Sequence, residues 1–121
     1  ADARLKERRH RYDESLATLD TLLSRFGRHP LADNARFMQA HALTAAGDTS
    51  GAAEQFAQIP MMHPRSPFAD RSLFERARLL EVQDDLEGAV QAYNKLLEDY
   101  PKSLLAPDAR ARVRDLWSRQ G

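Results

Sequence analysis

Cysteine is absent from the 121 residues, which removes disulfides, thiolate metal sites and a cysteine nucleophile while fitting either a reducing or an oxidising compartment. Lysine is scarce as well. Lys6, Lys95 and Lys102 are the only lysines among 18 basic residues, so the positive charge sits on arginine, whose planar fork suits carboxylate pairing and protein interfaces. A genome that favours Arg and Ala codons explains the same bias. The 18 acidic residues cancel the 18 basic ones, leaving no net field to gather nucleic acid or anionic lipid without sequence preference. No apolar run approaches the roughly 20 residues of a membrane span. Only five glycines occur, and there is no phosphate-binding loop, nucleophile elbow or His-Glu helix motif. No catalytic residue and no cofactor is expected. Ala1-Asp2-Ala3-Arg4 offers neither an initiator Met nor a signal-peptide core, as expected of an excised or processed segment.

What is present is a repeat. A hydrophobic content of 42% is enough for one core, and the chain agrees best with itself at a shift of 37 residues. Ser15, Ala52 and Ala89 share that register, as do Leu19, Phe56 and Tyr93, then Leu22, Ile59 and Leu96. Ala3, Ala40 and Ala77 follow it too, with Phe37 and Phe74, Leu43 and Leu80, Ala32-Asp33 and Ala69-Asp70, and Pro64 and Pro101.

Inside each unit the apolar residues recur at helical steps: Phe37, Ala40, Leu43; Leu73, Ala77, Leu80; Leu86, Ala89, Tyr93, Leu96, Leu97. Gly47-Asp48-Thr49 and Gln83-Asp84-Asp85 interrupt the pattern at corresponding places, so each unit reads as a helical hairpin. Asp84 with Glu87 predicts a capping box, and Ser66-Pro67 a capped start with proline at the first helical position. Pro60 predicts a helix end near Ile59, with Met61 and Met62 covering the shortened end. Helices are expected near 2–9 (partial), 13–26, 31–46, 50–59, 68–82, 86–99 and 104–119. They make one domain over 1–121: a partial first hairpin at 1–27, hairpins at 31–60 and 68–100, and a C-terminal helix at 104–119. Short residues at Ala40, Ala52, Ala77 and Ala89 allow paired helices to approach to about 8–10 Å, and Phe56 and Tyr93 fill the space between hairpins.

Gly47-Asp48 with Ala52 and Phe56, and then Ala77, Leu80, Ala89, Tyr93, Leu96 and Pro101, resemble the tetratricopeptide repeat pattern over nearly all of the chain. The period departs from the family's usual length of about 34 residues, and the family's early aromatic is Leu73 here and Arg36 in the preceding unit. The resemblance implies an all-α solenoid of antiparallel hairpins with a C-terminal capping helix, acting as a protein-binding scaffold. The linkers His63-Pro64-Arg65-Ser66-Pro67-Phe68-Ala69 and Tyr100-Pro101-Lys102-Ser103-Leu104-Leu105-Ala106 look like those of bacterial envelope members, lipoproteins of outer-membrane assembly and the periplasmic partner of the Tol-Pal system. A periplasmic location is implied, with the cytoplasm as the alternative.

In such arrays the first helix of each hairpin lines a concave groove, which by resemblance places Asn34, Phe37, His41, Arg71, Phe74 and Arg78 at the partner-binding surface. An aromatic stripe flanked by Arg and Asn is the chemistry of a protein interface. Packing of Phe37 and Phe74 between hairpins is the competing reading. The family's carboxylate-clamp adaptors need Lys and Asn where this chain has Phe37 or Phe74 and His41 or Arg78, so chaperone tails are not the expected ligand. A structural spacer, a homo-oligomerisation segment, or an accessory domain of a regulator or enzyme are the alternative roles.

Other clusters read as structural. His10, His29, His41 and His63 lack the spacing of a helical zinc motif, and Met61-Met62-His63 is suggestive of a soft metal but reads better as apolar cover. No metal site is expected. Asp84, Asp85 and Glu87 suit a helix start. Arg4, Arg8, Arg9 and Arg11, and Arg110, Arg112, Arg114 and Arg119, lack interleaved aromatics and have acids beside them, so solvated helix faces are expected rather than nucleic-acid binding.

Overall fold

A computed structural model describes residues 32–120 throughout and, ahead of them, positions 14, 16–18, 21–23 and 25, which are helical. The expected partial helix at 2–9 lies outside the described residues. Five helices follow: α1 (Ala32–Ala45), α2 (Thr49–Met62), α3 (Ala69–Val82), α4 (Leu86–Asp99) and α5 (Ala106–Gln120). Each packs against its neighbours in sequence, and no strand occurs among the described residues. The chain is an all-α solenoid. Among the described residues no helix is long and apolar enough to cross a membrane.

The turn within each hairpin is built twice in the same way. Gly47 N–H bonds to the Thr44 carbonyl at 3.1 Å and Asp48 N–H to the Leu43 carbonyl at 2.9 Å, and 37 residues later Asp84 N–H meets Glu81 and Asp85 N–H meets Leu80 at 3.0 and 2.9 Å. These pairs are the two bonds of a Schellman closure, whose penultimate residue takes a left-handed conformation. Gly47 does so at φ 88° and Asp84 at φ 61°. The next residue opens the following helix: Asp48 accepts from Gly51 N–H at 2.9 Å and Asp85 from Gly88 N–H at 3.0 Å. The capping carboxylate is therefore Asp85 and not Asp84. A left-handed residue must precede the cap, and Asp84 fills that place.

Three further expectations are corrected. Helix α2 runs through Pro60 to Met62, and His63 N–H closes on the Ile59 carbonyl at 2.7 Å. In the last turn a proline removes a single ladder bond, so the helix continues past it. Met61 and Met62 are 75% and 49% exposed, so they cover no apolar gap. Ser66 accepts from Phe68 N–H at 3.0 Å inside the linker, and α3 starts later, at Ala69.

Each linker is also tied back to the start of its own hairpin. Ser66 donates to Asp33 Oδ2 and Ser103 to Asp70 Oδ2, both at 2.5 Å, while Oδ1 of each aspartate accepts from the next backbone N–H, at Asn34 and Arg71. Tyr100 adds a bond between successive linkers, its hydroxyl donating to the Pro64 carbonyl at 2.7 Å.

The core forms as a ladder. Phe37, Ala40, Ala52, Ala53, Phe56, Ile59 and Leu79 make one cluster; Leu73, Ala77, Ala89, Val90, Ala92, Tyr93, Leu96, Ala109 and Leu116 make the next. Helix α3 serves both, giving Leu79 to the first and Leu73 and Ala77 to the second. No hairpin has to bury its apolar face alone. Ala40, Ala52, Ala77 and Ala89 are each 0% exposed, as helix crossings at short distance require.

Candidate partner-binding groove

The six groove candidates fall on α1 and α3. Asn34 and Arg71 are exposed near the helix starts, and His41 and Arg78 are exposed two turns on. The two phenylalanines between them differ. Phe37 is 8% exposed, stacked on Phe68 at 4.8 Å, edge-on to Phe56 at 5.7 Å and to His41 at 4.6 Å. It packs between hairpins and presents almost no surface. Phe74 is half-buried, edge-on to Tyr93 at 5.4 Å. Where Phe68 covers Phe37, the residue 37 positions later is the smaller Leu105.

Phe74 and Arg78 share a cleft of ≈ 530 Å³ with Glu81, Val82, Tyr93, Asp108, Ala111 and Arg112. It lies between the first helix of one hairpin, α3, and the next such helix, α5. The repeat explains its shape. Positions 37, 74 and 111 are equivalent, and the third holds Ala111 where the others hold Phe. The missing ring leaves an apolar recess edged by Phe74 and Val82, the latter 76% exposed. Asp108 and Asp115 stand at the places of Arg71 and Arg78, so the stripe changes from basic on α3 to acidic on α5.

Below the recess runs a polar network. Tyr93 donates to Glu81 Oε2 at 2.5 Å, and Arg112 grips both oxygens of Glu81, Nε at 3.3 Å from Oε2 and Nη2 closer on Oε1. Arg112 and Arg119 each also reach Asp115 at 3.1 Å. Burial opposes the Glu81 charge, but the hydrogen bonds from Arg112 and Tyr93 outweigh it and hold the carboxyl below its ordinary value. Burial, reinforced by the hydrogen bond and charge of Glu81, pushes the Tyr93 phenol well above its ordinary value. The Glu81 hydrogen bond raises Arg112 in turn. A paired carboxylate with a lowered pKa is a poor proton shuttle.

Asp108, Ala111, Asp115 and the Glu81–Arg112 pair were not among the sequence candidates. The 37-residue shift reaches the first three, once it is carried into α5 instead of stopping at α3. Of the four histidines, His10 and His29 lie outside the described residues, as do Arg4, Arg8, Arg9 and Arg11. Among the described residues no group of three or more His, Cys, Asp or Glu could hold a metal ion.

Two family models described as tetratricopeptide repeat match the sequence, one over residues 1–67 and one over 71–103. No curated protein matches it.

Proposed function

This chain belongs to the tetratricopeptide repeat family, and from that premise we propose that it holds a protein partner along the groove of α1, α3 and α5, with an apolar side chain of the partner seated in the recess above Ala111. Repeats of this family are in general protein–protein interaction modules and typically not enzymes. The observation that carries the reading is Ala111 itself. In two successive units the equivalent site is filled by a phenylalanine of the chain, and in the third it is open. Arg71 and Arg78 on one wall and Asp108 on the other give the bound segment a direction, since its acidic and basic ends meet opposite signs. Asn34 and His41 extend the same surface over α1.

Peptides selected from a display library on the intact chain test it. Filling the recess with Ala111→Phe should weaken the selected peptides by about tenfold or more, the equivalent of about 1.4 kcal/mol, while leaving the fold intact. Arg76→Ser, outside the recess, should leave their binding unchanged. Selected peptides that bind Ala111→Phe as well as the parent chain would remove the recess from the function.

We also infer that the chain works as a scaffold of the bacterial envelope, supported by the proline-bearing linkers at 63–69 and 100–106. Fractionation of the native host with an antibody to this chain tests that placement, and recovery from the cytosol alone would overturn it.

A further inference from the structure

We propose that a second cleft, between α2 and α3, docks a segment of a partner protein that presents a carboxylate to Arg76 and a neighbouring cation to Glu54. This cleft, of ≈ 500 Å³, is lined from α2 by Ala53, Glu54 and Ala57 and from α3 by Arg76 and Leu80. Gln83 Nε2 donates to Ser50 Oγ at 2.8 Å across one end, joining the close of α3 to the start of α2. It is a different surface from the groove, because Arg76 is two residues from both Phe74 and Arg78 and so stands roughly 200° round α3 from each. Helix α1 precedes these walls and α4 and α5 follow them, so the cleft lies inside the array.

Arg76 breaks the repeat. Its equivalents are Gln39 on α1, 5% exposed, and Val113 on α5, packed against the core cluster. Those two units turn a neutral residue inward at this place, and α3 has a guanidinium. Arg76 is half-buried and pairs with no carboxylate among the described residues, whereas Arg78, Arg112 and Arg119 each pair with one. A cation that has lost part of its water without a counter-ion gains most from a carboxylate brought to it, and its planar fork accepts both oxygens. The opposite wall is cut back to match. Ala53 and Ala57 stand where α4 has the larger Val90 and Asn94, leaving room for a main chain beside the guanidinium. Glu54 shares the cleft without pairing with Arg76. A purely acidic segment would be repelled by Glu54 and a purely basic one by Arg76, so the two charges select an adjacent pair of opposite signs.

The probes are peptides from a display library, selected on the intact chain after depletion on the Arg76→Gln chain, which carries the α1 residue at this place. Survivors should contain an acidic residue beside a basic one. Changing the acidic residue to its amide should weaken binding to the parent chain at least about tenfold and leave the residual binding to Arg76→Gln unchanged, the coupling that a direct contact produces. Neutralising the basic residue should show the same coupling to Glu54→Gln, and raised salt should weaken the parent complex. Arg76→Val, carrying the α5 residue, should also lose the peptides while its circular-dichroism melt stays at or above that of the parent, so that the loss is not unfolding. Four results would each overturn the proposal: no peptide surviving the depletion; survivors indifferent to the amide change; a lowered melt in both Arg76 variants, which would make Arg76 a structural residue; or a dimer of the free chain by light scattering that Arg76→Gln dissolves, which would make a second copy the occupant. Ala111→Phe should not alter the binding of these peptides, which keeps this test apart from that of the groove.

Discussion

Tyr93 donates its hydroxyl hydrogen to Glu81 at 2.5 Å, so a residue of the second helix of a hairpin fixes the carboxylate at the end of its first. Phe56, the equivalent of Tyr93 one unit earlier, packs the same crossing without a hydroxyl. Tyr93→Phe therefore keeps the ring and deletes one bond to a charged group, at an expected cost of about 1.5–3 kcal/mol in denaturant unfolding. Because the folded state raises the phenol above its ordinary value of 10.0, it holds the proton more tightly than the unfolded chain does. Its contribution is whole below pH 10 and drains away as pH rises through the folded value. The parent chain should lose that increment of stability in alkali, and Tyr93→Phe should not.

Arg112→Met leaves the Glu81 carboxylate, whose side chain is 13% exposed, with Tyr93 as its remaining partner. A loss of about 1–3 kcal/mol is expected. The present pairing lowers the Glu81 pKa, so its contribution exists above the ordinary carboxylate value of 4.5 and fades as pH falls through the lower folded one. Without Arg112 that value rises. Acid unfolding followed by circular dichroism should begin at a higher pH in the variant; an unshifted transition would mean that the pair carries no stability.

The two hairpin turns predict opposite responses to opposite substitutions. Gly47→Ala forces a Cβ into the left-handed conformation and should destabilise the fold by about 1–2 kcal/mol. Asp84→Gly relieves the same strain at the equivalent place and should stabilise it by about 0.5–1 kcal/mol. Thermal melts of both variants check the sign, and a destabilising Asp84→Gly would refute the equivalence of the turns.

Phe37 and Phe74 separate packing from recognition. Phe37→Ser removes a ring held by three aromatic neighbours and should cost about 3–5 kcal/mol. Phe74→Ser, from a half-buried position, should cost about 1–2 kcal/mol and reduce binding of groove-selected peptides out of proportion to that loss. Equal destabilisation by the two would contradict the asymmetry between the hairpins.

The period was legible because each unit repeats the same local requirements: short residues at Ala52 and Ala89, an aromatic at Phe56 and Tyr93, turn chemistry at Gly47-Asp48 and Asp84-Asp85. Local rules erred where two of them compete for one residue. Asp84 satisfies a capping pattern, but the left-handed turn needs it first, and the cap passes to Asp85. Pro60 reads as a stop until its nearness to the helix end leaves only one bond to lose. The Phe37–Phe74 difference depends on covering residues far along the chain, Phe68 in one case and Leu105 with Ala111 in the other, and no helical spacing reports that. Glu81 and Arg112 lie on different helices with no counterpart in the preceding unit, where Thr44 and Glu75 hold the equivalent positions, so no repeat signal marks them.

The serine–aspartate ties make the length of this array editable. Asp70 and Ser103 both fall within residues 69–105, as Asp33 and Ser66 fall within 32–68, so a duplicated stretch 69–105 would carry its own clasp. Its copy of Tyr100 would find the Pro101 carbonyl where the original finds that of Pro64. Genetic duplication between Phe68 and Ala106 would thus insert a complete structural cassette without severing any of the three bonds, whereas a cut through the middle of a unit would divide Asp33 from Ser66. Chains lengthened at that seam should gain buried surface, and so a steeper urea dependence of unfolding, with each added cassette.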